Sequence, residues 1–582
     1  METTDGFRVW APGAEQVALA LGEQRHAMTA GDDGWWTAPG IEAVHGADYG
    51  YVVDGEGPFP DPRSRHQPAG VHGPSRVYDH GRFPWTDSGW GGRALDGSVT
   101  YELHIGTFTG GRTFDSAIER LDHLVSLGVD LVEVMPVAAF PGRHGWGYDG
   151  VALFAVHEPY GGPDGLKRFV DACHARGLGV VLDVVYNHLG PSGNYLSKFG
   201  PYFTDRHHTP WGAAVNLDDA GSDGVRQFIV DSALHWLRDY HVDGLRLDAV
   251  HALADDRATH LLTELQIAVE RLAGEVGRPL FLVAESDRND PRTVAPRERG
   301  GHGLAGQWTD DVHHALHALL SGERQGYYVD FGSYECLAKT LTRAFFHDGS
   351  YSTFRGRGHG APVDVRRTPG HAFVTYLQNH DQVGNRATGD RLSASVSAGR
   401  LAIGAALVLC SAFSPMVFMG EEWAASTPWQ YFTDHQEPEL ADAVREGRRH
   451  EFARHGWAPG DIPDPQDTAT VETSTLDWAE PDKDPHAALL AWYRSLIALR
   501  RTRPELTDPR LDQVRVDIDP DAEWVVLHRG ALRVVANLAD GPQTVPLETA
   551  PGDVVLAFGS ATPQDAGIAL GAESVAIVTV QQ

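Results

Sequence analysis

The sequence predicts an α/β protein made of a (β/α)8 barrel, an N-terminal β-sandwich and a C-terminal antiparallel β-domain. The 582 residues are too many for one ordinary domain. Between residues 99 and 419, apolar segments alternate with amphipathic ones, whereas both ends carry short apolar runs separated by turn residues. Apolar strands that alternate with helices are typical of a parallel sheet, and eight of them favour a closed barrel. We predict domains at 1–95, 96–485 and 486–582.

The N-terminal domain is predicted from short strands at residues 7–10 and 17–21, with a turn at 31–34. This spacing favours an immunoglobulin-like β-sandwich. The Pro-rich and Gly-rich segments 58–62 and 89–92 predict a linker to the barrel. The C-terminal domain is predicted as a helix at 486–501 followed by strands at 514–518, 524–528, 532–537, 554–558 and 575–580.

The predicted barrel strands are 99–105, 129–136, 178–185, 242–248, 280–285, a weaker segment around 307–308, 371–378 and 414–419. Helices are predicted at 114–127, 164–176, 225–240, 257–274 and 393–409. An open doubly wound sheet is the alternative, but no glycine-rich dinucleotide turn follows the first strand. The apolar segment 401–420 is long enough for a membrane span. Pro415 within it favours a buried helix followed by a buried strand.

The connection at 187–220, after the third strand, is long, and long loops are usually functional. Its aromatic side chains either stack on sugar rings or pack within the protein; they are Tyr195, Phe199, Tyr202, Phe203 and Trp211.

Composition narrows the choice of partners. The chain has 48 basic and 79 acidic residues, a net charge of −31. This charge argues against nucleic acid or an anionic membrane as partner and fits a neutral or cationic ligand. Three distant cysteines predict neither a zinc site nor a disulfide framework, which suits a reducing cytoplasm. Residues 1–6 show no signal peptide, so we expect a cytoplasmic protein. The oligomeric state stays open.

Polar clusters stand where four predicted strands end, and the carboxyl ends of barrel strands meet at the face where such folds hold their active sites. Arg246 and Asp248, two residues apart on one strand, point the same way, and a neighbouring arginine favours an ionised carboxylate. Alone, this pair could be a structural ion pair. The other three clusters are Asp183 to His188, Glu285 with its neighbours, and Gln378-Asn379-His380-Asp381.

In this order, the four clusters resemble the signature regions of the α-amylase family (glycoside hydrolase family 13). The resemblance implies a retaining reaction on α-glucosidic bonds, with Asp248 as nucleophile, Glu285 as general acid/base and Asp381 as third carboxylate. Retention needs two carboxyl groups about 5–5.5 Å apart, one of them protonated. We expect crowding by the other carboxylates to raise the pKa of Glu285. The resemblance also implies that Tyr148, His188 and His380 bind the sugar at −1 and that Asp183 and Arg246 orient the nucleophile. Asn379 is a further candidate substrate-binding residue, in the same group as these.

The flanking segments 103–109, 139–143, 190–196 and 284–291 resemble the branch of this family that releases trehalose from maltooligosyltrehalose. This resemblance implies hydrolysis of the α-1,4 bond next to the terminal trehalose. Trehalose would then be recognised by loops after the fifth and sixth strands, through Asp287, Arg288, Asn289 and Asp310.

We expect an α-glucan as the partner and no cofactor. No dense Asp/Asn run has the spacing of oxygen ligands, so no required metal is predicted. The acidic pair Glu421-Glu422 after the eighth strand is assigned no role in the chemistry. A glucan branching enzyme is the alternative within the family. A non-catalytic glucan-binding protein is the alternative outside it, and the intact carboxylates argue against that reading.

Overall fold

The computed structural model describes residues 6–209, 212–453 and 462–580, so residues 1–5, on which the signal-peptide prediction rests, lie outside them. The N-terminal strands form two antiparallel sheets. One contains Arg8–Trp10, Thr29–Ala30 and Trp35–Thr37; the other contains Val17–Leu21, Gln24–Ala27, Asp48–Val53, Glu56–Phe59 and Ser75–Arg76. Val9 from the first sheet and Leu19 from the second belong to the same buried apolar core. The predicted domain boundaries remain a proposal.

Eight parallel strands close into a barrel, as predicted. They are β1 (Thr100–Leu103), β2 (Leu131–Val134), β3 (Gly179–Val184), β4 (Gly244–Leu247), β5 (Phe281–Ala284), β6 (Gly306–Trp308), β7 (Phe373–Tyr376) and β8 (Ser414–Phe418). Every residue of these strands is buried, which explains why they show an apolar run rather than an alternating pattern. Pairing of β8 with β1, through Val417 and Tyr101, closes the barrel.

Helices surround the barrel close to the predicted positions. The segment predicted as one helix at 114–127 is two, Phe114–Ile118 and Leu121–Leu127. The next ones are Gly162–Ala175, Ser222–Asp239, Leu261–Val276 and Ala398–Leu409. Sequence reasoning missed Asp310–Ser321, Tyr334–Arg343, His380–Gly384, Pro438–Ala453 and Thr468–Thr473. The first of these buries three histidines, His313, His314 and His317, which hide its apolar periodicity.

The apolar segment 401–420 is a buried helix followed by a buried strand, as predicted. The helix ends at Leu409 and β8 begins at Ser414, just before Pro415. Every helix in the described ranges is too short or too polar to cross a bilayer.

The long loop after β3 contains a hairpin, Phe203–Thr209 with Gly212–Val215. Its first strand is polar and gave no alternating signal. Phe199 and Tyr202 are buried, and their rings lie 6.4 Å from Tyr51 and 5.4 Å from Trp10. These two rings therefore pack on the N-terminal sheets rather than facing a ligand. Trp211 lies outside the described residues.

The C-terminal part begins with the helix His486–Thr502, followed by Pro504–Thr507. Five strands form an antiparallel sheet: Arg515–Asp519, Trp524–Arg529, Leu532–Asn537, Pro551–Phe558 and Ser574–Val580. A second sheet, which was not predicted, contains Gln543–Pro546, Ala561–Gln564 and Gly567–Leu570.

The linker between the N-terminal sheets and β1 is fastened to the barrel by buried charges. His174 lies between two carboxylates, with Nδ1 2.9 Å from Asp87 and Nε2 3.2 Å from Asp243. Asp243 also accepts hydrogen bonds from Trp90 Nε1 at 2.8 Å and Arg278 Nη1 at 2.9 Å. Burial opposes the charge of His174, but its hydrogen bonds to the two carboxylates outweigh it and raise its pKa.

Candidate active site

The turn that follows β4 joins two of the predicted catalytic carboxylates. Asp248 is the first residue after β4, and its amide nitrogen donates to Val184 O at 3.1 Å. Ala249 has a φ of 40°, in the left-handed region that non-glycine residues rarely adopt. This conformation directs the Ala249 N–H at Glu285 Oε2, 2.5 Å away. The turn thus places Glu285 beside Asp248.

Arg246 lies at the centre of the carboxylates and is fully buried. Its Nη1 donates to both oxygens of Asp183, at 2.9 and 2.8 Å, and to Asp248 Oδ1 at 2.9 Å. Its Nη2 lies 3.5 Å from Glu285 Oε2. The guanidinium also stacks over the Trp308 ring at 4.3 Å. One buried cation therefore orients three carboxylates. In the sequence, Glu285 is 37 or more residues away from the other two.

Asn187 supports the second oxygen of Asp248 and was not assigned a role from the sequence, although it lies in the same cluster as Asp183. Its Nδ2 donates to Asp248 Oδ2 at 2.7 Å. Its Oδ1 lies 2.6 Å from His188 Nδ1, and His188 Nε2 lies 3.1 Å from Tyr148 O. Burial lowers the pKa of His188. Arg246 and Asn187 therefore hold Asp248 in one orientation.

Glu285 has the electrostatics of a general acid. Burial is the main cause that raises its pKa, to about 8, and Asp248 and Asp381 add to the effect while Arg246 opposes it. The predicted direction is correct, but burial outweighs the carboxylate crowding that we expected to cause it. At neutral pH most of the Glu285 carboxyl groups carry the proton that a leaving oxygen needs.

Asp381 and its neighbours begin a short helix after β7. Asn379 caps the helix His380–Gly384, because its Oδ1 accepts from the amides of Asp381 at 3.0 Å and Gln382 at 3.2 Å. The Asp381 side chain is 41% exposed, and His380 Nε2 lies 3.6 Å from its Oδ1. The cap thus leaves the Asp381 carboxylate partly exposed, and Asn379 acts on this residue through the backbone.

Tyr148 links the loop after β2 to the same cluster. Its hydroxyl donates to Asp183 Oδ2 at 2.6 Å and lies 2.8 Å from His380 Nε2. The Tyr148 and His380 rings stack at 5.3 Å. Its assignment to the −1 sugar stays a prediction, while its position among the site residues is established.

The predicted trehalose-binding residues separate into two groups. Asp287 is 46% exposed and lies 3.1 Å from Arg355 Nη2, and Arg288 Nη2 donates to His251 O at 2.7 Å. Asn289, in contrast, is buried, and its Nδ2 donates to Asp311 Oδ2 at 2.9 Å and to a backbone carbonyl at 3.1 Å. Asp287 and Arg288 thus remain available to a ligand, whereas the amide nitrogen of Asn289 is used to fix the loop.

Two further acids lie near the site, and only one of them was predicted from the sequence. Asp310, predicted as a trehalose contact, accepts a hydrogen bond from the Tyr376 hydroxyl, and burial raises its pKa. Glu102 on β1 contacts His380 and was not predicted, since it lies inside an apolar strand far from the four clusters.

Two groups of side chains outside the carboxylate cluster could offer three ligand atoms to a metal ion. They are His80 with His235 and Asp239, and His207 with Asp218 and Asp256, each with ligand atoms within 4.8 Å of one another. In both, a histidine nitrogen already lies within 2.9 Å of a carboxylate oxygen. The prediction that no metal is required remains a prediction.

A closed barrel that gathers buried and exposed carboxylates at the carboxyl end of its strands has the architecture of a barrel glycosidase. A family model described as alpha amylase, catalytic domain, matches residues 103–208. A second, described as a domain of unknown function (DUF3459), matches residues 509–577.

Known proteins resemble the whole chain. It is 56% identical over 579 residues to the malto-oligosyltrehalose trehalohydrolase of Arthrobacter ramosus, covering 99% of each chain. It is 56% identical over 543 residues to the enzyme of that name from Rhizobium sp. (strain M-11), covering 92% of this chain and 91% of that one. The crystal structure of a putative alpha amylase from Salmonella typhimurium is 38% identical, with a TM-score of 0.90, and 99% and 97% of the two chains are covered. The chain belongs to the α-amylase family of glycosidases and, within it, to the malto-oligosyltrehalose trehalohydrolases.

Proposed function

We propose that the protein is a retaining glycoside hydrolase that cleaves the α-1,4 bond next to the terminal trehalose of maltooligosyltrehalose. The products are trehalose and a maltooligosaccharide. The observation that carries this proposal is a set of contacts that place Asp248 and Glu285 together. Arg246 contacts both carboxylates, and the Ala249 amide donates to Glu285. The names of the full-length relatives support the substrate.

In the first step, Asp248 attacks the anomeric carbon and forms a glycosyl ester. The bond to the leaving oxygen breaks, and Glu285 gives that oxygen its proton, so trehalose leaves as a neutral alcohol. In the second step, Glu285 takes a proton from water while the water oxygen attacks the same carbon and frees Asp248. Arg246 and Asn187 hold the attacking carboxylate in place throughout.

Asp381 is proposed to bind hydroxyl groups of the sugar at −1, since it is the most exposed of the three carboxylates. A carboxylate that accepts two hydroxyl hydrogen bonds strengthens them as positive charge develops on the ring, which stabilises the transition state. His188, His380 and Tyr148 are proposed to complete the −1 site.

Trehalose recognition is proposed for the loop after β5. Trehalose is neutral and rich in hydroxyl groups, so charged side chains that keep free hydrogen-bonding capacity at the cleft suit it. Asp287 and Arg288 meet this condition, and Arg355 holds Asp287 from a separate hairpin, Tyr351–Ser352 with Arg357–Gly358.

The test compares maltooligosyltrehalose with a maltooligosaccharide of equal length. The expected result is rapid release of trehalose from the first and slow hydrolysis of the second, measured as kcat/KM by chromatography. New 1,6 linkages would instead identify a branching enzyme, and binding without turnover would identify a glucan-binding protein.

The placement of trehalose is tested by Asp287→Ala, which we expect to lower the preference for maltooligosyltrehalose by about 10-fold, because a contact to a sugar hydroxyl is lost. The matched control is Glu270→Ala, which removes a similar ion pair with Arg297 on the outside of the barrel. If Asp287→Ala and the control leave the preference equally unchanged, the placement is wrong.

A further inference from the structure

Two glutamates occupy equivalent positions on neighbouring strands inside the barrel. Glu102 on β1 and Glu133 on β2 are register partners, and both are buried. Their surroundings differ. Glu102 accepts hydrogen bonds from the backbone N–H of His380 at 3.0 Å and from its Nδ1 at 2.5 Å. Glu133 Oε1 has no hydrogen-bond partner among the described residues.

From these contacts we infer that Glu102 is a positioning residue of the glycosidase reaction, which keeps His380 protonated on both ring nitrogens. The inference rests on the proposed glycosidase function and adds a residue to it. Glu102 acts through the imidazole: it contacts Nδ1, whereas Nε2 lies beside Tyr148 and Asp381.

The charge of His380 determines which way the next hydrogen bonds run. When Nε2 carries a proton, it donates to the Tyr148 hydroxyl, and that hydroxyl donates to Asp183 Oδ2. When Nε2 is bare, it accepts from Tyr148, and Asp183 loses this donor. Asp183 shares Arg246 Nη1 with Asp248. The protonation of His380 therefore affects the support of Asp248 through four successive hydrogen bonds.

The groups that face His380 favour its charged form. Burial opposes the charge, but Asp381 and Glu102 outweigh burial and Arg246 and raise the pKa of His380 to about 9. The further ionisable groups near it are Asp183, His104, Glu133 and Tyr148. Burial, followed by the charge of Glu102, raises the pKa of Glu133 well above its usual range, so Glu133 is a neutral acid.

The two glutamates form a matched pair for the test. Glu102→Gln removes the charge that holds His380 and is expected to lower kcat by about 10- to 100-fold at pH 7, the range for losing one charge-assisted hydrogen bond. The loss of kcat should grow from pH 5 to pH 8, because the His380 imidazole loses its proton at a lower pH once the charge of Glu102 is removed. Glu133→Gln replaces a neutral acid by a neutral amide of the same shape and should leave kcat within about 2-fold.

A double-mutant cycle with His380→Asn separates positioning from general damage. If Glu102 acts through the imidazole, Glu102→Gln should have little further effect on kcat in the His380→Asn background. A loss that is independent of pH, additive with His380→Asn, or equal to that of Glu133→Gln would overturn the inference. Glu102→Asp keeps the charge, so its pH profile should keep the wild-type shape even if the glutamine variant does not fold.

Failure of the proposed function gives a different result. All variants are assayed on maltooligosyltrehalose and on plain maltooligosaccharide. If the wild-type protein hydrolyses only plain maltooligosaccharide, the trehalose-releasing function is refuted. The kcat values of the Glu102 variants are then compared on maltooligosaccharide. If neither is hydrolysed, the same cycle is measured in denaturant unfolding. The Glu102–His380 coupling should be present at pH 6.5 and smaller at pH 10, where the imidazole is mostly neutral, and its absence at pH 6.5 would refute the inference.

Discussion

The raised pKa of Glu285 makes a quantitative prediction about stability. The pKa rises from 4.5 to about 8 in the folded protein, so between these values the folded state binds more protons than the unfolded state. Stability must then fall as the pH rises through this window. At pH 7, about 2.5 pH units above the unfolded value, the loss is on the order of 3 kcal/mol, at about 1.4 kcal/mol per unit.

Glu285→Gln should remove this loss, because glutamine is neutral at every pH. We expect the variant to be more stable than the wild type by on the order of 3 kcal/mol at pH 7 and by little at pH 4.5. The measurement is urea unfolding followed by tryptophan fluorescence at pH 4.5, 7 and 8. The same variant should lose nearly all turnover, since an amide cannot supply the proton.

Glu421→Gln is the matched control. Burial also raises the pKa of Glu421 to about 8, and its Oε1 accepts from the Tyr493 hydroxyl at 2.9 Å, away from the carboxylate cluster. This variant should show a similar gain that depends on pH, with turnover retained. A Glu285→Gln variant that is no more stable than the wild type at pH 7, or whose gain is the same at pH 4.5, would contradict the raised pKa of Glu285.

Three further predictions address catalysis and stability. Asp248→Ala should lower kcat by on the order of 10⁴-fold with an unchanged circular dichroism spectrum, because no other group can form the glycosyl ester; near-normal turnover would exclude Asp248 as nucleophile. The Glu285→Ala variant should still form the glycosyl ester from an α-maltosyl fluoride, because fluoride leaves without a proton, and azide should restore its turnover. If azide has no effect, Glu285 is not the acid/base. His174→Gln should cost about 1.5–3 kcal/mol at pH 6, by urea unfolding, because Asp243 and Asp87 each lose a charged partner, although Arg278 and His241 still contact them. That cost should shrink as the pH rises through the raised pKa of His174, since the charged form contributes only below it; a cost that does not change with pH would contradict the assignment.

Local sequence was enough to predict most of the barrel. The eight strands are buried at every position, so each appears as an apolar run, and the prolyl break near Pro415 correctly divided a helix from β8. Weak local signals caused the misses. The first strand of the hairpin, Phe203–Thr209, is polar, and the helix Asp310–Ser321 buries histidines where apolar residues are expected.

The sequence alone determined which residue types stand at the strand ends, because strand, turn and polar cluster lie within a few residues of one another. Asp248, Glu285 and Asp381 were found in this way. The arrangement of their charges depends on contacts between distant strands. The contact of Glu102 with His380 joins residues 278 positions apart. Barrel closure brings β1 beside the helix that follows β7, and burial, which no local pattern measures, sets the proton on Glu285.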